Sequence, residues 1–192
     1  NINFTIKKGD MIGISGESGS GKSTLIDLLI GLQNPKTGEI LVDGININKF
    51  LIDWQGLLGC VPQEVFILDD SLKKNIAFGV PEKNISKEKI SKCLKLANLD
   101  EFVSNLEKKE DTIIGERGAR ISGGQKQRIG MARAFYNDPE ILIFDEATNS
   151  LDIETERKIL SEIQKFKKEK TIIIISHNNE ILKNCDQILN IQ

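Results

Sequence analysis

The sequence predicts an α/β fold in which a mostly parallel β-sheet is flanked by helices and a helical segment is inserted in the middle of the chain. At both ends of the 192 residues, apolar runs alternate with helix-like segments. Strands joined by crossover helices produce this pattern. Between Ser71 and Leu106 the pattern predicts consecutive helices with polar joins, over SLKKNIAF, SKEKISKCLKLANL and DEFVSNL. We therefore expect a core formed by residues 1–70 and 138–192, with a helical subdomain over residues 71–137.

The first part of the chain is predicted to contain strands, turns and one helix. The alternation in Asn1–Ile6 predicts a half-buried strand, and the apolar run beginning at Met11 predicts a buried one. A helix is predicted over Lys22–Leu32, followed by turn residues. The stretches EILVDG and GCVPQ are predicted to form two further short strands.

The later part of the chain returns to strand–helix alternation. A helix is predicted over Gln125–Asn137, because an Asp-Pro pair follows. The stretch EILIFDE then predicts a strand, Ile153–Phe166 a helix, and TIIIIS a buried parallel strand. A short helix near Asn179–Asn184 and a final strand QILNI complete the expected order.

Composition excludes several classes of function. There are 26 basic and 28 acidic side chains, so the net charge is 26 − 28 = −2, and no nucleic-acid partner is expected. The three cysteines are far apart and odd in number, which fits a reducing compartment. No apolar run approaches the roughly 18 residues of a membrane span. The chain does not begin with Met, and we expect it to be a domain of a longer protein.

The stretch GESGSGKST, here called the phosphate loop (Gly16–Thr24), lies between a predicted strand and a predicted helix. It fits the pattern G-x-x-x-x-G-K-[ST], in which backbone N–H groups and a helix N-terminus surround phosphate groups. Lys22 supplies a charge for the outer phosphates, and the Ser23 hydroxyl is placed for Mg²⁺. The predicted nucleotide-binding residues here are Gly16, Ser18, Gly19, Ser20, Gly21, Lys22, Ser23 and Thr24.

Two carboxylates follow the apolar strand ILIFDE. Ligands bind at the carboxyl ends of strands in such sheets. We therefore expect Asp145 to hold Mg²⁺ through water and Glu146 to polarise an attacking water molecule. A capping role at a helix N-terminus is the alternative for this pair when it is considered alone.

A second candidate anion site lies in ISGGQ, here called the signature segment (Ile121–Gln125). It exposes N–H groups at the start of another predicted helix. One nucleotide does not need two such sites about a hundred residues apart, so the second is expected to serve a nucleotide held by another subunit. The predicted nucleotide-binding residues are Ser122, Gly123, Gly124 and Gln125.

The stretches GESGSGKST, VPQ, ISGGQKQR, ILIFDEATNSLD and ISH occur in the order and approximate spacing of the ABC ATPase family, which the whole chain resembles. Ile121 stands where that family usually has Leu. The resemblance implies a P-loop NTPase fold with an N-terminal antiparallel β portion and a helical subdomain that carries the signature segment. It also implies ATP and Mg²⁺ as cofactors and a homodimer or pseudo-dimer that encloses two ATP molecules head to tail.

The resemblance also implies roles for individual residues. Gln63 matches the glutamine that contacts Mg²⁺ and water, and His177 matches the histidine that contacts the γ-phosphate. The segment Asn149–Asp152 resembles the loop that crosses the dimer interface. The implied catalytic residues are Lys22, Gln63, Glu146 and His177. The implied metal-binding residues are Ser23, Gln63 and Asp145.

Two stretches are more similar to exporters of this family. Val61–Gly79 resembles the region around the exporter glutamine, and Ile113–Gly118 resembles a loop in which Glu116 and Arg117 couple to the membrane domains. This resemblance implies an exporter ATPase on the cytoplasmic face of a membrane, with transmembrane domains as partners. The residues after His177 differ from the usual exporter sequence. The pieces GQKQRIG, ISHN and NCDQI are loosely similar to flippases for lipid-linked oligosaccharides or polysaccharides.

Two alternatives stay open at this level. One is a soluble ABC ATPase of the DNA-repair or translation-factor type. Repair proteins of this kind insert a long coiled coil that is absent here, and translation factors lack the exporter-like loop. The other alternative is a nucleotide sensor that does not hydrolyse ATP. The presence of Glu146 and His177 argues against it.

Overall fold

The computed structural model describes residues 2–116 and 118–191. Within them, the strands are β1 (Met11–Gly16), β2 (Leu41–Val42), β3 (Ile45–Asn46), β4 (Leu58–Val61), β5 (Asp70–Ser71), β6 (Ile113–Ile114), β7 (Ile141–Asp145), β8 (Thr171–Ile175) and β9 (Gln187–Ile191). The α-helices are α1 (Lys22–Leu29), α2 (Leu51–Gly56), α3 (Leu72–Ile76), α4 (Lys87–Leu96), α5 (Asp100–Ser104), α6 (Gly123–Tyr136), α7 (Ile153–Lys165) and α8 (Asn179–Leu182).

The chain forms two compact units. The first contains the residues up to Leu58, Pro139–Asp145 and the residues from Lys167 onward. The second contains Gly59–Asp138 and Glu146–Phe166. Compactness does not identify which residues bind nucleotide, so the division into a nucleotide-binding core and a helical subdomain stays a prediction.

The first unit contains four parallel strands in the order β7-β8-β1-β9. All five residues of β8 are buried, as expected for a parallel strand covered on both faces. Ile175 of β8 pairs with Ile14 of β1 and with Asp145 of β7. The carboxyl ends of these three strands therefore meet at one edge of the sheet, as the predicted parallel arrangement requires.

The first unit also contains two short antiparallel strands. β2 and β3 pair across a turn at Asp43 and Gly44, which both have positive φ, at 50° and 79°. This conformation matches the twist of a tight hairpin.

α1 ends at Leu29, three residues earlier than predicted, because Gly31 adopts a φ of 76° that does not continue a right-handed helix.

The predicted strand over residues 1–6 is wrong for the described residues. Residues 2–6 lie in no helix or strand. Alternating residues form a strand only where a neighbouring strand supplies hydrogen bonds. Across residues 2–116 and 118–191, no strand pairs with this segment.

The second unit is organised around α6, which packs against α3 and α4. Ile129, Met131 and Ala132 of α6 are fully buried. Arg133 extends from the same helix, and its Nε donates to the carbonyl of Asn75 at 2.8 Å. The helical prediction for residues 71–106 is confirmed by α3, α4 and α5. In the described part of the chain, no helix is long and apolar enough to cross a membrane.

Candidate functional site

In the first unit, the predicted nucleotide-binding elements meet at the carboxyl edge of the parallel sheet. The phosphate loop follows β1, and Asp145 is the last residue of β7. His177 lies two residues beyond the end of β8 and is exposed. Because these three strands are neighbours, the sheet brings together the ends of elements that are far apart in sequence.

Glycine is required at two positions of the phosphate loop. A side chain on Gly16 would place Cβ 2.3 Å from the carbonyl oxygen of Ile191, so β9 leaves no room for one. Gly21 has a φ of 96° and no described atom within 4 Å of the position of a Cβ. Gly19 also has positive φ and open space beside it. Backbone strain for other residues, rather than crowding, explains the glycine at position 21.

Lys22 points back into its own loop. The side chain is buried, and its Nζ donates to the carbonyl oxygens of Gly16 at 2.9 Å and Glu17 at 2.8 Å. An ammonium group has three N–H donors, so one donor can reach a ligand while the two loop bonds persist. Ser18, Ser23 and Thr24 of the same loop are exposed.

The phosphate loop contains polar groups that lack protein partners. The Ser20 Oγ is buried and has no hydrogen-bond partner in the part of the chain described. The N-terminus of α1 follows Gly21, and no side chain of the described residues caps it. Buried polar groups in proteins are normally hydrogen-bonded, so these groups fit an acceptor-rich ligand such as a phosphate chain.

The side chains near this edge also fit Mg²⁺. Magnesium in nucleotide sites is held by one or two carboxylates together with phosphate oxygens and water. Asp145 supplies a half-buried carboxylate at the end of β7, and Ser23 supplies a hydroxyl in the first turn of α1. Among the described residues, no group of three or more His, Cys, Asp or Glu side chains could hold a metal ion.

In the second unit, the Glu146 carboxylate accepts two amide donors. Gln63 Nε2 donates to Glu146 Oε2 at 3.3 Å, and Asn149 Nδ2 donates to the same oxygen at 2.9 Å. Two predicted catalytic residues, Gln63 and Glu146, are thus in direct contact. The Asn149 amide was not expected in this role, although its position three residues after Glu146 was a local signal for such a contact.

Residues on both sides of Gln63 lie against α6. The buried Gln127 of that helix donates through Nε2 to the carbonyl of Pro62 at 3.1 Å. Gly130, one turn further along, leaves room for Val65, whose Cγ2 would lie 2.5 Å from an added Cβ. Sequence reasoning missed Gln127. A glutamine on the buried face of a helix just after the signature segment was the available signal.

The signature segment forms the predicted helix start. Ser122 is the N-cap residue of α6, and its Oγ accepts from the Gln125 N–H at 3.2 Å. The Gln125 Oε1 in turn accepts from the Ser122 N–H at 2.8 Å. The Gln125 side chain is therefore used within the capping box, while Gly123 and Gly124 have no intrahelical acceptor for their N–H groups.

The remaining predicted elements fall on exposed loops. Glu116 is exposed, and Arg117 lies outside the described residues. Asp152 is the N-cap of α7 and accepts from the Thr155 N–H at 2.9 Å. That hydrogen bond holds the pKa of the Asp152 carboxyl below its ordinary value.

Comparisons with known proteins identify the family of this chain. The family model described as ABC transporter matches residues 1–149. The chain is 44% identical over 190 residues to the leukotoxin translocation ATP-binding protein LktB of Mannheimia glucosida, covering 98% of this chain and 27% of that protein. The alpha-hemolysin translocation ATP-binding protein HlyB of Escherichia coli gives the same identity and coverage.

A solved structure of a bacterial Atm1-family ABC exporter with ATP bound is similar in fold. Its TM-score is 0.89 at 37% identity, over 96% of this chain and 32% of that chain. The chain thus spans about a quarter of the length of the curated relatives it matches. Because the family model matches more than half of the chain, we conclude that the chain belongs to the ABC transporter family.

Proposed function

We propose that the phosphate loop binds ATP with Mg²⁺ and that hydrolysis of this ATP drives export by transmembrane domains on the cytoplasmic face of a membrane. One observation carries the proposal: the loop pairs a buried ammonium group with a buried hydroxyl and a helix N-terminus that, among the described residues, have no hydrogen-bond partner and no side-chain cap. All three groups favour a bound polyanion. The names of the exporter relatives support the transport role.

The chemistry assigned to the first unit is the binding and orientation of phosphates. Lys22 carries the charge that attracts the outer phosphates, and the loop N–H groups hold the chain of phosphates in position. Ser23 and Asp145 would hold Mg²⁺, together with Gln63. When bound, this ion neutralises negative charge on the phosphate oxygens. His177, beyond β8, is assigned the contact with the γ-phosphate.

The chemistry assigned to Glu146 is the activation of water. A carboxylate that accepts a proton from water, or polarises it, accelerates attack on a phosphoryl group. Gln63 contacts this carboxylate, which supports its assignment beside the same water molecule. Phosphoryl transfer needs charge placement and orientation rather than a covalent intermediate with the protein.

The signature segment is assigned to the nucleotide of a second ATPase domain. Ser122, Gly123, Gly124 and Gln125 start α6, and the two glycine N–H groups lie at the positive end of the helix dipole. We propose that two domains, identical or homologous, associate head to tail with ATP between them. ATP binding would close this dimer, and hydrolysis would open it.

The test uses three purified proteins: the wild type, Glu146→Gln, and Glu146→Gln combined with Ser122→Arg. Glu146→Gln keeps the size of the side chain and removes its charge, so the hydrolysis rate should fall about 100-fold or more. At saturating MgATP it should form a dimer, measured by size exclusion with light scattering. The wild type should stay largely monomeric, because hydrolysis separates the dimer.

The double variant provides the control for the interface. Ser122→Arg places bulk and positive charge at the start of α6, so the double variant should bind ATP and remain monomeric. An equal hydrolysis rate in wild type and Glu146→Gln would refute the assigned catalytic carboxylate. A dimer of the double variant would show that the signature segment does not form the interface.

A further inference from the structure

We propose that Asn149 is a positioning residue that fixes the Glu146 carboxylate for the hydrolysis step. This inference rests on the proposed function, in which Glu146 activates water. Asn149 Nδ2 donates to Glu146 Oε2 at 2.9 Å, the shorter of the two amide contacts to that oxygen. The donor comes from the same loop as the carboxylate, only three residues later in the chain.

Glu146 lies just beyond the paired residues of β7, so pairing with a neighbouring strand does not fix its backbone. The last paired residue of β7 is Asp145, opposite Ile175, so Glu146 is the first residue beyond the strand. Its φ of 48° is in the left-handed region, which non-glycine residues rarely adopt. A residue in that conformation persists only where surrounding contacts fix it.

Asn149 contacts Glu146 through both its backbone and its side chain. The Asn149 N–H donates to the Glu146 carbonyl at 3.2 Å and closes a turn. The side-chain amide then reaches the carboxylate of the same residue. The backbone bond stays in any variant of Asn149 other than proline, whereas the contact to the carboxylate depends on the side chain. Substitution can therefore separate the two contributions.

Asn149 is itself held by fixed neighbours. Ala147 and Thr148, which precede it, are buried, and the Leu151 N–H donates to the Thr148 carbonyl at 3.0 Å. Asp152 then caps α7. The residues on both sides of the exposed Asn149 are thus packed or hydrogen-bonded, which supports a defined position for its amide. Catalytic groups act efficiently when a supporting contact sets their orientation in advance.

The amide of Asn149 has the chemistry this role requires. It donates without adding charge, so it orients the carboxylate and leaves its negative charge available. An Asp side chain has the same shape but lacks the donor and adds a second negative charge beside Glu146. An Ala side chain removes the contact, and a Gln side chain keeps the donor on a longer arm.

The experiment measures steady-state ATP hydrolysis and ATP affinity for the purified wild type and for Asn149→Ala, Asn149→Asp and Asn149→Gln. Asn84→Ala is the matched control, because Asn84 is an exposed asparagine in a short helical turn of the same unit. Calorimetry gives the dissociation constant for ATP, and thermal unfolding shows whether each variant is folded.

We expect Asn149→Ala to lower kcat about tenfold, the scale of one hydrogen bond to a charged group, with KM and the dissociation constant changed less than about twofold. Asn149→Asp should lower kcat further, and Asn149→Gln should recover part of the Asn149→Ala loss. The fall in kcat caused by Asn149→Ala should differ in size between the wild type and a Gln63→Ala background, because both amides contact the same oxygen of Glu146. Asn84→Ala should match the wild type.

Three results would overturn the inference. Wild-type kcat in Asn149→Asp would show that the donor is irrelevant. A higher kcat in Asn149→Ala would show that the amide restrains Glu146 rather than positioning it. A fall in kcat with an equal loss of folded protein would show a role in loop stability alone. Equal rates in wild type and Glu146→Gln would instead refute the proposed function itself, and the role of Asn149 with it.

Discussion

The phosphate loop and the signature segment both place glycines at the start of a helix, yet the two helix N-termini differ in how they are completed. α1 begins after Gly21, which is in the left-handed region and has no side-chain oxygen to offer. α6 begins after Ser122, whose hydroxyl forms a reciprocal capping box with Gln125. The first N-terminus lacks a cap among the described residues, and the second one has its cap in its own sequence.

This difference indicates two kinds of anion site. The phosphate loop has N–H groups, an ammonium group and the Ser20 hydroxyl available to a ligand, so the ligand completes the local structure. The signature segment is capped by its own side chains, and the N–H groups of Gly123 and Gly124 remain for a ligand. The first arrangement suits tight binding within one domain. The second suits the reversible contact between two domains that we propose.

The largest expected effect is on the phosphate loop. Lys22→Ala removes the buried ammonium group and should weaken MgATP binding about 100-fold or more, since charge-assisted contacts to phosphate are the strongest of the site. Calorimetry of the purified chain measures the loss. Lys36→Ala, which removes an exposed lysine outside the loop, should bind ATP as the wild type does. Unchanged affinity in Lys22→Ala would contradict the assigned loop.

An intermediate effect is expected at the cap of α6. Ser122→Ala removes the side-chain acceptor for the Gln125 N–H and should lower the free energy of unfolding by about 1 kcal/mol without nucleotide. Urea denaturation measures this change. Ser18→Ala removes an exposed serine from the phosphate loop and should change stability by less than about 0.5 kcal/mol. Equal changes in the free energy of unfolding for Ser122→Ala and Ser18→Ala would contradict the difference in capping between α1 and α6.

The smallest effect is expected at Ser20. In the nucleotide-free chain its buried hydroxyl has no partner among the described residues, so Ser20→Ala should leave stability unchanged or raise it by up to about 1 kcal/mol. With saturating MgATP, Ser20→Ala should no longer be more stable than the wild type, because the wild-type hydroxyl then gains an acceptor. Thermal unfolding with and without MgATP tests both statements. A clear loss of stability without nucleotide would show that the hydroxyl already has a partner.

Several parts of the fold were predictable because their signals are local. The strand β1, the phosphate loop and α1 follow one another in a short stretch whose apolar, glycine and helix-forming residues each favour one conformation. The isoleucine-rich stretch Thr171–Ser176 predicted a buried parallel strand, and β8 covers all of it except the last residue. The signature segment predicted a helix start, and α6 begins there with Ser122 as its N-cap residue.

Other parts were not predictable because they depend on partners distant in sequence. Residues 2–6 have the alternation of a strand, but alternation does not supply a neighbouring strand. The contact of Gln127 with Pro62 joins residues 65 positions apart. The predicted end of α1 was three residues too late because the φ of Gly31 is not visible in the sequence.

The sequence by itself determined the order of elements, the positions of the nucleotide motifs and the family, because these are properties of residue type and spacing. The tertiary structure alone decided which groups touch. It directed the Lys22 ammonium group onto the carbonyls of Gly16 and Glu17. It also brought the amides of Gln63 and Asn149 to one oxygen of Glu146. A hydrogen bond requires a donor and an acceptor about 3 Å apart in a suitable direction, and only the packed chain sets that distance.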